Sequence, residues 1–267
     1  MVNICRSVCY NERINQVKLE RTMNMSDMCK EIFSLLNAWA NYPNYQLERR
    51  ADIFFALYLP EIMKAECIGE RELEHTYIFP EFPLMAGDPP KTRKPKCVDY
   101  AVFGKEVLYL IELKTTMDYI KNIKSEDIKY LTLAQKTIKQ NEGMQKLIGN
   151  IEDMMKHSTQ RNKYEDLLAR FNDTEISKRT NRYKEIRIIY ILPIDPNNEG
   201  FKHKKAHIHN TFKDNRITPV SFEKVMDELP VSHDMLARNF KDSLNEWKTI
   251  EENKNMKNPR KKAEVKK

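Results

Sequence analysis

The stretch VLYLIELKTT, residues 107–116, combines the apolar sequence of a buried strand with two charged residues near its end. Apolar residues occupy both faces of the predicted strand, whereas a surface strand alternates apolar and polar residues. Glu112 and Lys114 are two residues apart, so their side chains share one face. Burying charge in an apolar sheet is costly unless the charges are paired or bind a ligand. The stretch therefore predicts a central strand with a charged site at its end.

A second predicted strand brings another carboxylate to the same face. The segments CVDYAVF (97–103) and EVLYLIELK (106–114) flank a Gly-Lys pair, which predicts a tight two-residue hairpin. In that hairpin Asp99 lies beside Leu110 and diagonal to Glu112. A four-residue loop keeps Asp99 on this face, whereas a three-residue loop puts it on the opposite one. The simplest hairpin thus gathers two carboxylates and the lysine.

These three side chains suit a particular chemistry. Two carboxylates within a few ångströms repel each other unless a proton or a cation lies between them. Oxygen ligands of this kind suit Mg²⁺ or Mn²⁺, and a lysine beside such an ion can orient a water or stabilise charge on a phosphate. The alternative is a surface cluster of ion pairs at the edge of a sheet. The apolar flanks of the strand favour the buried site.

The rest of the chain predicts helices on either side of a small sheet. Apolar residues at helical spacing indicate helices, with Pro60 expected to kink or break the second one. The order of elements is helices, three strands, helices, two strands and a last helix, which is a mixed α/β arrangement. The predicted strands are 72–85, 97–103, 106–114, 184–193 and the start of 217–229, and the predicted helices are 26–41, 45–67, about 125–171 in two parts, the end of 217–229, and 232–250.

The segment VDYAVFGKEVLYLIELKTT resembles the PD-(D/E)XK nuclease superfamily, with Asp99 opening the second strand and Glu112-Leu113-Lys114 ending the third. The core of that superfamily is a helix, a three-stranded antiparallel meander, a helix and a further strand. The resemblance covers roughly residues 45–195, and Val98 stands where many relatives have proline. It implies a restriction-endonuclease-like α/β fold: a central mixed sheet, made of the meander plus further strands, flanked by helices, with extra N- and C-terminal helices.

The resemblance also implies roles for the residues of the motif. Asp99 and Glu112 would be catalytic residues that bind the metal ion, Mg²⁺ or Mn²⁺. The backbone carbonyl of Leu113 would be a further ligand. Lys114 would act on the attacking water or on the scissile phosphate.

Two further catalytic positions follow from the same resemblance. Many members carry a glutamate on the helix before the sheet, where Glu48 is the best match and would also bind metal. Asp52, one turn on, is its substitute, and a solvated helix residue is the alternative interpretation of Glu48. Members often have a glutamine or a lysine on the helix after the third strand. Gln135 or its neighbour Lys136 would fill that position, although a polar residue on such a helix is more often simply exposed.

Composition limits the class of protein. The 267 residues include 40% hydrophobic and 32% charged residues, which suits one folded domain. We expect this domain to span residues 1–250, with its core at about 45–230, followed by a basic, disordered tail at 251–267. No apolar run reaches the roughly 20 residues of a membrane-spanning helix, and the start of the chain lacks a secretory signal. The sequence therefore predicts a cytoplasmic protein without membrane contact.

The basic character of the chain favours a polyanionic partner. The net charge is +7 and the isoelectric point is about 9.0. One basic loop leads directly into Asp99, and another follows the fourth predicted strand. Three tyrosines could stack on bases, although a place in or beside the core is the favoured interpretation: Tyr100, Tyr109 and Tyr119. The candidate nucleic-acid contacts are Lys91, Arg93, Lys94, Lys96, Lys204 and Lys205.

The sequence thus predicts an Mg²⁺-dependent nuclease that hydrolyses phosphodiester bonds, in DNA rather than RNA. A fold relative that has lost cutting and only binds nucleic acid or a protein is the alternative. A homodimer, or a targeting or activating protein, is a further partner left open by the sequence. Members of the superfamily serve restriction, repair, recombination and defence against foreign DNA, including phage defence.

Overall fold

A computed structural model of the chain describes residues 24–40, 42, 45–64, 77–85, 95–120, 123–124, 126–138, 143–178, 180–198 and 206–256. Its strands are β1 (Ile78–Leu84), β2 (Lys96–Phe103), β3 (Val107–Leu113), β4 (Glu185–Leu192) and β5 (Ile217–Ser221). Its α-helices are α1 (Met25–Trp39), α2 (Leu47–Ile62), α3 (Lys129–Thr137), α4 (Gly143–His157), α5 (Arg161–Asn172), α6 (Glu175–Lys178), α7 (Ala206–Asp214), α8 (Phe222–Glu228) and α9 (Met235–Met256). A short 3₁₀ helix lies at Thr180–Arg182.

The five strands form one mixed sheet in the order β1-β2-β3-β4-β5. The first three strands pair antiparallel as a meander, and β4 and β5 continue the sheet in parallel with β3. The predicted α/β class, with a mixed sheet flanked by helices, is therefore correct. Strand β3 has a hydrogen-bonded neighbour on each side, which places the end of VLYLIEL in the middle of the sheet.

Helices cover both faces of the sheet because β3 is apolar on both faces. Leu108 and Leu110 face a core formed with α3, α4, α5 and α7. Tyr109 and Ile111 face a second core formed with α1, α2, α8 and α9. Alternating side chains of one strand thus enter two separate cores, and the end of β3 lies between them.

The hairpin between β2 and β3 has a longer loop than predicted. Phe103 pairs with Leu108, so residues 104–107 form a four-residue loop, and the predicted two-residue turn is wrong. The Tyr183 hydroxyl donates to the Gly104 carbonyl at 3.0 Å, a contact from the segment before β4 that hairpin rules do not contain. The predicted face of Asp99 is nevertheless right, because a four-residue loop preserves the side to which each residue points.

Helix α2 continues through Pro60, where the sequence predicts a kink or a break. Proline removes one backbone hydrogen bond and crowds the preceding turn. Here Pro60 lies in the last turn of the helix, and Leu59, Ile62 and Met63 around it are fully buried. Burial of these side chains holds the last turn in place.

The last helix extends beyond the predicted domain boundary. Helix α9 runs to Met256, so residues 251–256, predicted as the start of a disordered tail, are helical. Glu251 is buried, with its carboxylate accepting the backbone N–H of Met117 at 2.9 Å. Residues 257–267 lie outside the described part of the chain. Among the described helices, none has the length and apolar character needed to span a membrane.

A candidate site at the end of strand β3

Four of the predicted site residues meet at the end of β3. The Lys114 ammonium lies 3.1 Å from Glu48 Oε1, 3.1 Å from Glu112 Oε2 and 3.4 Å from Asp99 Oδ2. It also donates to the carbonyl of Leu113 at 2.7 Å. We call these four charged residues the carboxylate–lysine cluster.

Strands β2 and β3 position two of the carboxylates, Asp99 and Glu112, opposite each other. Tyr100 pairs with Ile111, and the same register, continued by one residue, places Asp99 opposite Glu112. The backbone N–H of Leu113 donates to Asp99 Oδ2 at 2.6 Å, which fixes the direction of that carboxylate. Direct opposition brings the two acids closer than the diagonal arrangement that the shorter hairpin predicts.

Helix α2 supplies the third carboxylate from the other side of the sheet. Glu48 lies in the first turn of this helix, where the partial positive charge of the helix N-terminus favours an anion. The backbone N–H of Thr115 also donates to the Glu48 carboxylate. The buried face of α2, including Ala51 and Phe55, packs on the sheet and so aims its first turn at the end of β3.

Strand β1 is irregular beside Asp99. Glu81 has a φ of +50°, in the left-handed region that non-glycine residues rarely adopt. The pairs on either side of it are Pro80 with Tyr100 and Phe82 with Val98, so Glu81 lies opposite Asp99. The regular alternation of side chains changes at this point, and the end of the sheet next to Asp99 is open to a cleft.

The cleft has a volume of about 330 Å³ and contains all four members of the cluster. Sequence reasoning did not assign Arg49, Glu81 or Cys97 to the site, and Asp52 entered only as a substitute for Glu48. Cys97 is exposed at the edge of the cleft, and partial loss of water around its thiol, followed by the nearby charge of Glu81, raises its pKa to about 11, so the thiol is protonated at neutral pH. The lining residues are Glu48, Arg49, Asp52, Pro80, Glu81, Cys97, Asp99, Tyr100, Glu112, Leu113 and Lys114.

Helix α3 contributes a residue that the sequence did not predict. The Tyr130 hydroxyl donates to Glu112 Oε1, and burial raises the pKa of this hydroxyl, which stays protonated. A tyrosine next to the buried Leu131 is typical of a core position. The sequence therefore gives no indication that Tyr130 contacts Glu112.

The structure does not bring Gln135 to the cluster. Its side chain donates to the carbonyl of Ile186 at 3.1 Å, near the start of β4. Ile186 pairs with Leu108, at the opposite end of β3 from the site. The neighbouring Lys136 is exposed to solvent. Placement of the helix-borne glutamine at the site is therefore wrong.

The charges of the cluster do not balance. Three carboxylates surround one ammonium, which leaves a formal surplus of two negative charges when all are ionised. Burial raises the pKa of Glu112 to about 7 against the opposing charge of Lys114, and burial also raises the pKa of Glu48. Burial alone would lower the pKa of Lys114, but the charges of Glu112 and Asp99 outweigh this effect and raise it. Lys114 is therefore charged at neutral pH.

The donor set fits a hard divalent cation in its chemistry. Carboxylate and carbonyl oxygens with excess negative charge, in a cleft open to water, are the ligands that Mg²⁺ and Mn²⁺ prefer. In the part of the chain that is described, no three His, Cys, Asp or Glu side chains are arranged around a metal position. The ammonium of Lys114 instead contacts Glu112 Oε2 and the Leu113 carbonyl, two of the predicted ligands. A cation at those oxygens would have to displace it.

Only one of the predicted basic contacts lies in the described part of the chain. The Lys96 ammonium lies 5.3 Å from the centre of the Tyr130 ring, whose hydroxyl contacts Glu112. Tyr100 and Tyr109 are buried in the core, whereas Tyr119 is exposed. The other predicted contacts lie outside the described residues: Lys91, Arg93, Lys94, Lys204 and Lys205.

Comparison of the chain with protein-family models, curated proteins and solved structures gave no match. The most distinctive property of the site is the imbalance of charge around Lys114.

Proposed function

We propose that this protein is a metal-dependent nuclease of the PD-(D/E)XK type, which hydrolyses phosphodiester bonds in nucleic acid, DNA rather than RNA. The observation that carries the proposal is the convergence of Glu48, Asp99 and Glu112 on Lys114 from one helix and two strands. A structural ion pair needs one carboxylate for one lysine. Three carboxylates around one lysine suit a site that also holds a divalent cation and an anionic substrate.

Asp99, Glu112 and the Leu113 carbonyl would hold Mg²⁺ or Mn²⁺, which when bound would activate a water and polarise a phosphate. The cation would displace the Lys114 ammonium from these oxygens. The ammonium would then be able to donate to a phosphate oxygen or to the attacking water. Because its pKa is raised, Lys114 acts as a cation and a hydrogen-bond donor, not as a general base. Glu48, half-buried at the cleft, would accept a hydrogen bond from the water.

Tyr130 would position Glu112. Its hydroxyl donates to Glu112 Oε1, which leaves Oε2 directed at Lys114 and the cleft. Hydrogen bonds from outside the ligand set hold metal-binding carboxylates in one orientation, and their loss commonly costs about tenfold to a hundredfold in activity. The ammonium of the basic residue Lys96 lies over the same ring, 5.3 Å from its centre.

The order of elements supports a restriction-endonuclease-like core. Helix α2, the meander β1–β3, helix α3 and the parallel strand β4 occur along the chain in the order of that superfamily, with α4, α5, α6 and the 3₁₀ helix inserted between α3 and β4. Loss of side chains from the motif would argue for a relative that no longer cuts. All three residues of the motif, Asp99, Glu112 and Lys114, are present and adjacent.

The test is cleavage of labelled single- and double-stranded DNA and RNA by the purified chain with Mg²⁺, with Mn²⁺ and with EDTA. The variants are Asp99→Asn, Lys114→Met and a matched control, Lys248→Met. Lys248 has a side-chain exposure of 16%, against 14% for Lys114, and pairs with Glu223 and Glu252 in helices α8 and α9. We expect metal-dependent cutting that is lost in the first two variants and kept in the control. Absence of cutting with either metal, or equal loss in all three variants, would contradict the proposal.

A second candidate function is nucleic-acid or protein binding without cutting. The observation that favours it is the set of contacts made by Lys114, which occupies the carboxylates and the Leu113 carbonyl together. A protein that uses this network only for stability would bind nucleic acid equally well with and without divalent ions. Equal binding by the parent chain and by Asp99→Asn, with no product under any condition, would support this candidate.

A further inference from the structure

Tyr119 is an exposed aromatic residue beside the carboxylate–lysine cluster. It lies in the turn between β3 and α3, and 44% of its surface is exposed. The centre of its ring is 5.8 Å from the Lys114 ammonium. An isolated exposed aromatic side chain is ordinary in a folded protein. The distance to Lys114 is what distinguishes this one.

The backbone on both sides of the ring is held firmly. Met117 and Ile120 are fully buried, and the Met117 N–H donates to the buried carboxylate of Glu251. The ring therefore stands on an anchored segment, with little backbone entropy left to lose when a ligand packs on it. Preorganisation of this kind favours binding.

The cluster itself is a poor binder of a phosphate through charge. Its carboxylates outnumber its lysine, so an approaching phosphate meets net negative charge until a divalent cation is present. A contact with an uncharged part of the substrate would add affinity without that repulsion. An aromatic ring offers such a contact to a nucleobase, whatever its identity, because every base has a flat π face.

We propose that Tyr119 stacks on an unpaired nucleobase next to the phosphate held at Lys114, so that the preferred substrate is single-stranded nucleic acid. This inference rests on the proposed function. The Lys114 ammonium lies over one face of the Tyr119 ring, 5.8 Å from its centre, so the base would cover the other face. In a duplex both faces of a base are covered by its neighbours, and the base must leave the stack before an aromatic ring can cover it.

A purely local role for the ring is the competing explanation. The Tyr119 ring could serve only to shield the Lys114 ammonium from water through a cation–π contact. The two roles respond differently to substitution. Leucine retains apolar bulk near the lysine but has no flat aromatic face, whereas phenylalanine retains the face and loses only the hydroxyl.

The experiment measures binding by fluorescence anisotropy in Mg²⁺, with the full chain carrying Asp99→Asn to prevent cleavage. The probes are a labelled single-stranded oligonucleotide and a hairpin duplex of equal length. Tyr119→Phe, Tyr119→Leu and Tyr119→Ala are compared with the parent, and thermal melting checks that each variant is folded. A 2-aminopurine base in the single strand adds a direct readout, because stacking quenches its emission.

We expect single-strand affinity to fall about 5-fold to 150-fold in the Leu and Ala variants, the range for loss of one stacked base. The Phe variant should stay close to the parent, and duplex affinity should be unchanged in all variants. Equal affinities of the parent and the Leu and Ala variants for the single strand would overturn the inference. So would equal losses for single strand and duplex, or no binding of either probe by the parent.

A parallel cleavage assay separates this inference from the proposed function. The same three Tyr119 substitutions, made in the chain with its natural Asp99, are assayed on both probes with Mg²⁺. If stacking is seen in the anisotropy assay but no variant or parent cuts, hydrolysis is wrong and base stacking stands. If the parent cuts duplex and single strand equally and Tyr119→Leu cuts as well as the parent, hydrolysis stands and base stacking is wrong.

Discussion

Glu112 and Glu251 are both buried glutamates, with 5% and 1% of their surfaces exposed. Glu112 lies near the end of β3, and Glu251, in α9, contacts Met117 in the segment that follows β3. Glu251 accepts the N–H of Met117 through one carboxylate oxygen and the ammonium of Lys254 through the other, at 2.7 Å. Its charge is thus matched by a lysine and by a backbone dipole. Glu112 shares the single ammonium of Lys114 with two more carboxylates.

The difference shows that burial of a carboxylate is not by itself a mark of function. A buried carboxylate with a matched partner is satisfied and adds order to the fold. A buried carboxylate in a cluster with surplus negative charge is satisfied only when a further proton or cation is bound. Glu251 is therefore expected to hold the backbone in place, and Glu112 to take part in chemistry.

The largest expected effect is on catalysis. Glu112→Gln removes a charged ligand while preserving shape, and we expect cleavage to fall by about 10²-fold to 10³-fold, the size found when a group acting on developing charge is lost. Glu251→Gln should keep cleavage within a few-fold of the parent, since its amide oxygen can still accept the N–H of Met117. Initial rates with Mg²⁺ measure both. Similar losses in the two variants would remove the distinction between the two glutamates.

The free energy of unfolding should depend on Glu251 more than on Glu112, the reverse of the order for cleavage. Glu251→Ala leaves the buried N–H of Met117 without this acceptor and Lys254 without this carboxylate, and loss of such bonds costs about 1–3 kcal/mol of unfolding free energy. Glu112→Gln relieves repulsion in the cluster, so in EDTA it should leave the unfolding free energy unchanged or raise it. Urea denaturation of the two variants and the parent gives these values. A stability loss in Glu112→Gln equal to that of Glu251→Ala would show that both glutamates are structural.

Binding of a divalent cation should depend on Glu112 and not on Glu251. A ligand at ten times its Kd stabilises the folded state by about 1.4 kcal/mol, so Mg²⁺ or Mn²⁺ should raise the melting temperature of the parent. The same rise is expected in Glu251→Gln and not in Glu112→Gln. Melting curves are recorded over a series of metal concentrations and compared with a metal-free reference in EDTA. Equal shifts in both variants would place the cation elsewhere.

The sequence predicts the part of the site that depends on pairing between the neighbouring strands β2 and β3. The face of Asp99 follows from the two-residue period of a strand, which survives the wrong loop length. The place of Glu48 depends instead on how α2 packs across the sheet, and a resemblance to a family supplied it. Strand β3 was recognisable as central because both of its faces are apolar.

Other parts of the site depend on contacts between distant elements. Tyr130 reaches Glu112, and Gln135 faces Ile186, because the buried side of α3 sets how that helix lies on the sheet. Helical periodicity identifies the buried side of a helix but not the strand residues it meets. The basic composition of the end of the chain predicts a disordered tail from residue 251, whereas Glu251 contacts Met117, 134 residues away in the sequence.

Glu112 should also make the stability of the metal-free protein depend on pH. Burial raises its pKa from 4.5 to about 7, so the folded state holds a proton that the unfolded state releases. The stability from this proton is fully present below pH 4.5 and is lost as the pH rises through about 7. One group changes the slope by at most about 1.4 kcal/mol per pH unit.

Denaturation in EDTA between pH 5 and pH 8 isolates this contribution as the difference between the parent and Glu112→Gln. We expect the parent to lose stability relative to the variant across this range, because only the parent has to ionise a buried carboxyl group beside two others. Glu251→Gln serves as the control and should follow the parent, since it leaves Glu112 in place. Parallel curves for the parent and Glu112→Gln would mean that Lys114 and Tyr130 already balance the charge of Glu112, and the argument for a cation at this position would lose its electrostatic basis.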